Sequence, residues 1–414
     1  MLSVWFGKSI KVKKKVVILA EFIGENHNST AYYWSQITKY LNGDYEIVLI
    51  VPENEHSLAF ASKYNIKTRF VKIAVHNKNN LLSRLLGQVK QTMSFLSVIK
   101  EEVYSADLLF SGTNPIVTMA SLAVLKLRYK YQWLVLVHDV FPNNLIPAQV
   151  LSENSFFYKV LIYLSKKMYS SPDSLICIGR DMKTLLQEKT GSCEKIYYIP
   201  NWASTEKIPS LEKADNEIIN DLGWQNQIVY QFFGNMGRLQ GMDNLLKAIQ
   251  LSKHKQARYL FIGCGSEADY VKKTLEKINN ESGYEKIFFY GPLDLEKNHI
   301  GLSACDVSLV TLSGNMFGLG VPSKAYFSMA ADKPILYVGD NNSELSILLS
   351  EYQVGWACEA AKPTLLAEQL DNVTDTLQMS DTPLMQPRKC LIDNFSETLA
   401  LTKIKRVVNT MMVS

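Results

Sequence analysis

The chain has 414 residues, of which 47% are hydrophobic and 20% charged, a balance that excludes a disordered or low-complexity protein. This length predicts two or three domains, and no run of about 18 apolar residues indicates a membrane-spanning helix. The net charge of +4 divides into +9 over residues 1–200 (24 Lys and Arg, 15 Asp and Glu) and −5 over the remaining residues. A basic first half favours a polyanionic surface near it, with ordinary solvated charge as the alternative.

Strand-like and helix-like segments alternate along the chain. Apolar runs that predict buried strands occur in the first half at 16–22, 45–51, 108–110, 133–140 and 174–179, with helical patterns at 30–42, 79–100 and 154–170. The alternation restarts with strands at 227–233, 257–263, 287–291, 307–312 and 334–339, and with helices from 243 and at 321–331, 363–377 and 388–410. Two such series predict an α/β protein with two doubly wound domains.

We predict an N-terminal domain over 1–200, a C-terminal domain over 201–385, and a final helical segment, 386–414, that crosses back to the first domain. Ligands of doubly wound sheets bind at the carboxyl ends of the strands, so two facing domains would form a central cleft between those ends. Basic residues follow the few apolar ones at the N-terminus, the reverse of a secretory signal, so we expect a cytoplasmic protein.

Cysteines and histidines do not predict a metal site. The six cysteines, at 177, 193, 264, 305, 358 and 390, lack metal-ligand spacing and are interpreted as buried, reduced thiols. The six histidines are also unpaired in spacing, and no Asp-x-Asp follows a strand. We therefore expect neither a bound metal nor a cofactor.

The segment FGNMGRLQG, 233–241, joins a predicted strand to a predicted helix through a loop with three glycines. Glycine lets backbone N–H groups approach a phosphate, and the following helix N-terminus favours an anion. Arg238 can add a forked cationic contact. The alternative is a structural tight turn.

A second glycine-containing loop precedes another predicted helix. Gly318 and Gly320 lead to Pro322, Ser323 and Lys324, so this helix start is a second position suited to an anion. Two such sites in one domain fit a diphosphate approached from two sides, whereas a plain helix cap is the alternative.

Polar residues also follow two strands of the first half. His138 and Asp139 end the 133–140 segment, where an imidazole can donate to a sugar hydroxyl or move a proton. A structural histidine is the alternative. After the first strand, the small polar side chains of Asn26, His27, Asn28 and Ser29 suit a polyhydroxylated acceptor, with a helix cap by Asn28 or Ser29 an equally weighted alternative.

Several strings in the second half resemble family 4 glycosyltransferases, which have the GT-B fold and retain the anomeric configuration. They are FFGNMGRLQGMDNLLKAI, FIGCGSE, YGPLDLEKNHIGLSACDVSLV and VPSKAYFSMAADKPIL, with IPNW before them and VHDVFP in the first half. The similarity is greatest to bacterial enzymes of surface-polysaccharide and colanic-acid-type assembly. It implies two Rossmann-like domains, with the acceptor on the first and the nucleotide-sugar donor on the second.

The resemblance assigns residues to the donor site. Those that would line the diphosphate are Gly234, Asn235, Met236, Gly237, Gln240 and Gly241. Tyr290 and Gly291 would flank the base, Phe317 and Gly318 would face the donor sugar, and Pro322, Ser323 and Lys324 would begin the helix directed at the phosphates. The residues with implied catalytic roles are His138, Asp139 and Arg238.

The sequence departs from the family pattern at four positions. Many members have Arg at the position of Asn235 and Lys at that of Gln240, so Arg238 is the sole cation in its loop. Two glutamates common in the family are replaced by Leu319 and Phe327. Donor identity and ribose contacts therefore do not transfer from the family.

The predicted activity is transfer of a hexosyl or N-acetylhexosaminyl group, from a donor we expect to be a UDP-sugar, to a saccharide or polyprenyl-diphosphate-linked saccharide. The product would belong to a bacterial surface polysaccharide. The alternatives are a catalytically silent partner subunit that binds a nucleotide sugar, supported by the missing glutamates, and a nucleotide-sugar 2-epimerase. No nucleic-acid partner is expected.

Three basic-apolar segments predict docking on an anionic membrane, on the inner face of the cytoplasmic membrane. They are KSIKVKKK at 8–15, VLKLRYKYQW at 124–133, and 81–100. The last has Leu81, Leu82, Leu85, Leu86 and Val89 on one helical face, flanked by Arg84 and Lys90. Packing of this face on the domain's own sheet is the alternative.

Overall fold

The structure is a computed structural model that describes residues 13–24, 28–73, 81–379 and 385–413, with the side chains at 81–85 and 295 excluded. The chain divides into two compact units. The first contains the described residues of Met1–Leu136, Ser171–Ser174 and Lys405–Ser414, and the second contains Val137–Ser170 and Leu175–Ile404.

The first sheet is parallel and has seven strands in the order β3-β2-β1-β4-β5-β6-β7. Their bounds are β1 Lys15–Leu19, β2 Glu46–Pro52, β3 Lys67–Val71, β4 Leu108–Gly112, β5 Trp133–Val137, β6 Ser174–Cys177 and β7 Ile196–Tyr198. The helices between them are α1 Ser29–Asn42, α2 Glu55–Tyr64, α3 Leu81–Val103, α4 Ile116–Arg128, α5 Phe156–Ser170 and α6 Arg180–Thr190. Valine, isoleucine and leucine fill β1, β2 and β5 because helices cover both faces of a parallel sheet.

The second sheet is parallel and has six strands in the order β10-β9-β8-β11-β12-β13. Their bounds are β8 Ile228–Phe233, β9 Ala257–Ile262, β10 Ile287–Gly291, β11 Val307–Thr311, β12 Ile335–Gly339 and β13 Gly355–Glu359. The helices of this half are α7 Glu217–Leu222, α8 Met242–Leu251, α9 Ala268–Ser282, α10 Asn298–Ser303, α11 Lys324–Ala330, α12 Glu344–Tyr352 and α13 Pro363–Met379. The chain ends with α14 Pro387–Asn394 and α15 Glu397–Val413.

The two parallel α/β sheets confirm the predicted fold class. In each sheet the strand order changes direction beside the first strand of the series, between β1 and β4 in the first sheet and between β8 and β11 in the second. In the second sheet, β8 lies between β9 and β11, so the loop after β8 begins at that reversal. A ligand crevice forms at this point in doubly wound sheets. The fold therefore brings the glycine loop, 234–241, to the position best suited to a ligand.

Some predicted elements differ in the structure. The helix predicted at 388–410 is interrupted between α14 and α15, where Ser396 forms a parallel bridge with Ala203. Phe395 at the break packs edge-on against the rings of Tyr326 and Tyr352, which favours the break over a continuous helix. The helix predicted at 321–331 begins only at Lys324.

The prediction of six buried cysteines is wrong at three positions. All six thiols are free, as expected, but Cys193 and Cys264 are exposed and Cys358 is half-buried. Cys193 and Cys264 both lie in loops, where an apolar side chain can remain in contact with solvent.

Candidate active site

Three glycines join the loops at the carboxyl ends of β8, β9 and β10. The N–H of Gly234 donates to the carbonyl of Ile262 at 2.9 Å, and the N–H of Gly263 donates to the carbonyl of Gly291 at 2.8 Å. A Cβ at Gly263 would lie 2.0 Å from the carbonyl oxygen of Gly234, and its φ of +138° is itself accessible mainly to glycine. This contact fixes where the first residue of the 234–241 loop lies.

Met236 anchors the same loop and is turned away from solvent. Its side chain is fully buried in the core of the second sheet. Its N–H donates to the carbonyl of Cys264 at 2.8 Å, and its carbonyl accepts the N–H of Glu267 at 3.0 Å. Met236 therefore has neither its side chain nor its N–H available for the diphosphate contact assigned to it. The neighbouring Asn235 and Arg238 are exposed.

The end of the loop is attached to β11. A single 3-10 turn, Arg238–Gln240, leads to Gly241, which has a φ of +62° and precedes α8. The hydroxyl of Thr311 donates to the carbonyl of Gln240 at 2.6 Å, and the N–H of Ser313 donates to the carbonyl of Leu239 at 2.9 Å. The loop is thus held at both ends before any ligand arrives.

Lys324 brings the two glycine-containing segments together. Its Nζ donates to Oε1 of Gln240 at 2.9 Å and lies 4.0 Å from the ring centroid of Phe232. A Cβ on Gly234 would be 3.8 Å from the same Nζ. Removal from water disfavours the charged form and lowers the pKa of Lys324 to about 7. The structure therefore places beside the glycine loop an amino group that gains its charge near pH 7. Ser323, which precedes Lys324, forms no side-chain cap at the start of α11.

Arg238 is the second cation of the site. Among the described residues it has no hydrogen-bond or ion-pair partner, and its side chain is exposed. It lies near Glu267, whose pKa is raised overall, because burial and the charge of Asp243 outweigh the opposing effect of the Arg238 charge. A guanidinium without a fixed partner is available to an anionic ligand.

His138 and Asp139 are held against the segment that precedes α11. Asp139 forms an antiparallel bridge with Gly320, and the N–H of Val140 donates to the carbonyl of Leu319 at 3.1 Å. These contacts explain why β5 ends at Val137 instead of continuing to 140. Burial of the imidazole lowers the pKa of His138 to about 4, so the ring is neutral near pH 7.

Two carboxylates that the sequence analysis did not single out shape the loop around Phe317. Asp340 accepts the N–H of Asn315 at 3.0 Å and also that of Met316. Asp181 accepts the N–H of Gly318 at 3.0 Å. Both aspartates closely follow strands, β12 and β6, so the strand-end argument used for His138 could have identified them.

Asp181 belongs to a buried polar network at the start of α6. Next to it, Arg180 pairs with the buried carboxylate of Glu344, with NH2 to Oε1 at 3.1 Å and the backbone N–H to Oε2 at 2.6 Å. The hydroxyl of Tyr198 donates to Oε1 of Glu344 at 2.6 Å. Desolvation raises the pKa values of Asp181 and Glu344. Bonds from Arg180 and Tyr198 oppose the increase at Glu344, and backbone N–H groups, Gly318 first among them, oppose it at Asp181. The network fixes the position of α6 and therefore of the Asp181 carboxylate.

The remaining predicted positions vary in accessibility. Tyr290, in β10, and Phe317, in the loop before α11, are 40% and 42% exposed, so both rings are accessible. The N–H of Gly318 is already engaged by Asp181. Gly237 lies in the 234–241 loop, Gly291 is the last residue of β10, and Pro322 is half-buried before α11. Leu319 and Phe327, which replace the family glutamates, are buried and half-buried, respectively.

The predicted acceptor segment is described only in part. Asn26 and His27 lie outside the described residues. Asn28 is the N-cap of α1, and its Oδ1 accepts the N–H of Ala31 at 2.8 Å. Ser29 is exposed in the first turn of that helix. The helix-cap interpretation thus holds for Asn28, while the acceptor role of the segment stays a prediction.

Comparison with known proteins supports this description. Residues 214–380 match the family described as "Glycosyl transferases group 1". The chain is 39% identical to the probable glycosyltransferase WbjE of Pseudomonas aeruginosa over 96% of this chain and 98% of that protein. It is 22% identical to the putative colanic acid biosynthesis glycosyl transferase WcaI of Escherichia coli over 44% of each chain.

Solved structures share the fold at low sequence identity. HepE of Anabaena in complex with UDP superposes with a TM-score of 0.72 at 15% identity, covering 96% of this chain and all of that one. A sucrose-phosphate synthase of Thermosynechococcus elongatus gives 0.75 at 14% identity over 97% of this chain and all of that one. These neighbours confirm the GT-B fold.

The fold and these sequence similarities together define a glycosyltransferase of the GT-B class. More particularly, the chain belongs to the group 1 glycosyltransferases, the family 4 type, and WbjE is one of its relatives.

Proposed function

We propose that this enzyme transfers a sugar, with retention, from a nucleotide diphosphate donor to a saccharide or lipid-linked saccharide of a bacterial surface polysaccharide. The observation that carries the proposal is the convergence of Lys324, Gln240, Gly234 and Arg238 at the carboxyl ends of the second sheet. Its relatives WbjE and WcaI bear glycosyltransferase names, the latter in colanic acid biosynthesis, and HepE was solved with UDP, which favours a UDP-sugar donor.

Departure of the nucleotide concentrates negative charge on the β-phosphate. Preorganised cations and N–H groups that face this charge lower the barrier. Arg238 and Lys324 supply the cations, and the N-terminal end of α8 supplies a favourable dipole. The proposal requires no metal, and the described residues contain no cluster of three or more His, Cys, Asp and Glu side chains suited to one.

His138 is assigned a positioning role toward the donor sugar. Its pKa of about 4 leaves a neutral imidazole that can donate one hydrogen bond and accept another. In a retaining reaction without a covalent partner, the leaving phosphate itself accepts the proton of the acceptor hydroxyl. Asp139 belongs to the same strand end, held beside Gly320.

A donor screen tests the proposal. The purified chain is incubated with UDP-, GDP- and dTDP-sugars, thermal stability is measured for each, and turnover is followed with and without acceptor. We expect stabilisation by UDP-sugars and release of UDP, with an unchanged anomeric configuration in the product by NMR. Binding without turnover under any acceptor would favour the silent-subunit alternative, which the apolar residues Leu319 and Phe327 support.

The proposal includes peripheral attachment to the cytoplasmic membrane. On α3, Leu86, Val89 and Met93 are 55%, 41% and 66% exposed, so these residues do not pack on the sheet, and Lys90 is exposed beside them. None of the described helices is long and apolar enough to cross a bilayer. A surface contact is the mode of attachment that these observations favour.

Two of the three segments predicted to dock need revision. In the 124–133 segment Trp133 is buried because β5 lies between β4 and β6, and Tyr131 is buried with its hydroxyl donating to the carbonyl of Leu122 at 2.7 Å, while Val124 and Leu127 are exposed. In the 8–15 segment the residues before Lys13 lie outside the described part, and Lys15 pairs with Glu102 at 2.7 Å. Co-sedimentation of the chain with anionic and neutral vesicles at low and high salt tests the attachment.

A further inference from the structure

Helix α5 exposes an unusual number of large apolar side chains. Phe156, Phe157, Tyr163 and Leu164 are 75%, 72%, 59% and 52% exposed, and Val160 is 39% exposed. At 100° per residue, these five side chains lie on one half of the helix. The opposite half, with Ser165, Met168 and Tyr169, is buried. Soluble surfaces rarely carry such a continuous apolar face without a binding partner.

The charges on this face have one sign. Lys159, Lys166 and Lys167 are exposed on the same half of α5, and the helix contains no acidic residue. The ammonium of Lys167 lies 4.8 Å from the ring centroid of Tyr163, so basic and aromatic groups are interleaved. Glu153 and Asp173, each three residues from an end of the helix, are the acidic groups closest to it along the sequence, and Asp173 pairs with Lys126 at 2.5 Å.

This arrangement selects among possible partners. A twofold contact with a second copy would place the same patch against itself and bring three lysines toward three lysines. An anionic bilayer surface instead accepts aromatic rings at the headgroup level and attracts each lysine. The charge pattern therefore favours lipid over self-association.

We propose that α5 lies on the anionic surface of the membrane, with its phenylalanines inserted at the level of the headgroups. This inference rests on the peripheral attachment proposed above but assigns it to a different helix, one in the second compact unit.

The inner end of α5 connects this surface to the candidate active site. The hydroxyl of Tyr169 donates to the carbonyl of Asp139 at 3.4 Å and accepts the N–H of Phe141 at 3.1 Å. Helix α5 is therefore hydrogen-bonded through Tyr169 to the residues that directly follow His138. A helix bound to lipid at this point holds His138 near the surface from which a lipid-linked acceptor is presented.

Vesicle flotation of the full chain tests the proposal. The vesicles contain phosphatidylcholine alone or with phosphatidylglycerol, at low and high salt. We expect the wild-type protein to bind only the anionic vesicles, and Phe156→Ser/Phe157→Ser to lower its partition coefficient about tenfold or more. Replacing Lys159, Lys166 and Lys167 by Gln should lower it about fivefold for each lysine.

A matched control removes the same charge elsewhere. Lys272, Lys273 and Lys277 are exposed on α9, and their replacement by Gln should leave the partition coefficient within about twofold of the wild type if the lysines of α5 act locally. Circular dichroism melting verifies that each variant is folded. As a direct readout, Phe156→Trp should add fluorescence that brominated lipid quenches.

Other outcomes would overturn the assignment. If the folded phenylalanine variant bound as well as the wild type, the membrane contact would lie elsewhere, for example on α3, without affecting the proposed transferase activity. Equal binding to neutral vesicles would contradict the charge argument. Conversion of a wild-type dimer to a monomer by the phenylalanine variant would identify a second copy as the partner. Failure of the wild-type protein to transfer sugar to a water-soluble acceptor would instead count against the proposed transferase function and not against the membrane contact.

Discussion

The carboxylate of Asp181 accepts the backbone N–H of Gly318 at 3.0 Å, across 137 positions of sequence. The same carboxylate accepts the N–H of Met182 at 2.8 Å, so it is shared between the start of α6 and the loop that carries Phe317. This single side chain couples a helix of the first βα series to a loop of the second.

Replacing Asp181 by Ala should loosen that loop. The buried N–H of Gly318 would lose its acceptor, so we expect a loss of about 1–3 kcal/mol in the free energy of unfolding and a lower turnover number. Urea denaturation and donor turnover measure the two effects. Asp269→Ala, at an exposed position in the first turn of α9, is the control. Equal effects of both substitutions would deny Asp181 a special role.

Lys324 should make nucleotide affinity dependent on pH. Because its pKa is lowered to about 7 in the free protein, and a bound diphosphate would raise it, protonation accompanies binding above that pH. UDP affinity should therefore fall as pH increases from 7 to 9, by up to about tenfold per unit, until the pKa of the complex is reached.

Titration calorimetry at several pH values measures this dependence. Lys324→Arg stays charged throughout and should flatten the profile, whereas the exposed Lys272→Gln control should retain it. A profile with the same slope in wild type and Lys324→Arg would assign the titration to another group.

Arg238 should matter for the chemical step. Arg238→Ala removes the charge that we propose faces the leaving phosphate, so we expect turnover about 10²-fold lower in a folded protein. Lys247→Ala, on the exposed face of α8, serves as the control. Steady-state rates and melting temperatures separate catalysis from stability. Near wild-type turnover in Arg238→Ala would mean that Lys324 and the backbone suffice.

His138 should act without titrating in the physiological range. Since burial holds its pKa near 4, the imidazole is neutral from pH 5 to 8, and the rate profile should have no acid limb from this residue. His138→Gln should lower the transfer rate much more than UDP affinity across that range. His299→Gln is the control. An acid limb near 6.5 that disappears in His138→Gln, or equal losses of rate and affinity, would contradict this assignment.

Gly263 should tolerate no side chain. Its Cβ would lie 2.0 Å from the carbonyl oxygen of Gly234, whereas Gly283, also at positive φ, has nothing within 4 Å of the same position. We expect Gly263→Ala to cost more than about 3 kcal/mol in the free energy of unfolding and Gly283→Ala about 1. Urea denaturation compares them. Similar losses of stability in Gly263→Ala and Gly283→Ala would show that backbone strain at positive φ dominates and that the loops after β8 and β9 can move apart to admit the methyl group.

The sequence predicted the parts of the site whose chemistry is local. Glycines between a strand and a helix identified the 234–241 loop, and a polar residue at a strand end identified His138, because both signals depend on neighbouring residues. Asp181 and Asp340 were missed because the N–H groups that donate to them, those of Gly318 and Asn315, lie 137 and 25 positions away in sequence. Patterns of neighbouring residues do not indicate contacts between positions so far apart in sequence, which only the folded chain brings together.

Burial was the other property that local patterns did not determine. Met236 lies in a polar, glycine-containing loop and was expected at the diphosphate, yet its side chain enters the core of the second sheet. In α3 the predicted apolar face includes Leu86 and Val89, which the structure leaves exposed. Helical periodicity shows that a face exists but does not show which surface covers it.

The bonds from Asp340 and Asp181 reach only main-chain groups of the Phe317 loop. Main-chain bonds do not depend on which side chain occupies Phe317, so this frame survives substitution at that position, whereas the φ of +63° at Asn315 disfavours most other side chains there. Phe317 is 42% exposed, and we propose that it faces the donor sugar, so it is a practical starting point for engineering donor selectivity: a library at that position would vary the surface offered to the sugar while the loop keeps its shape.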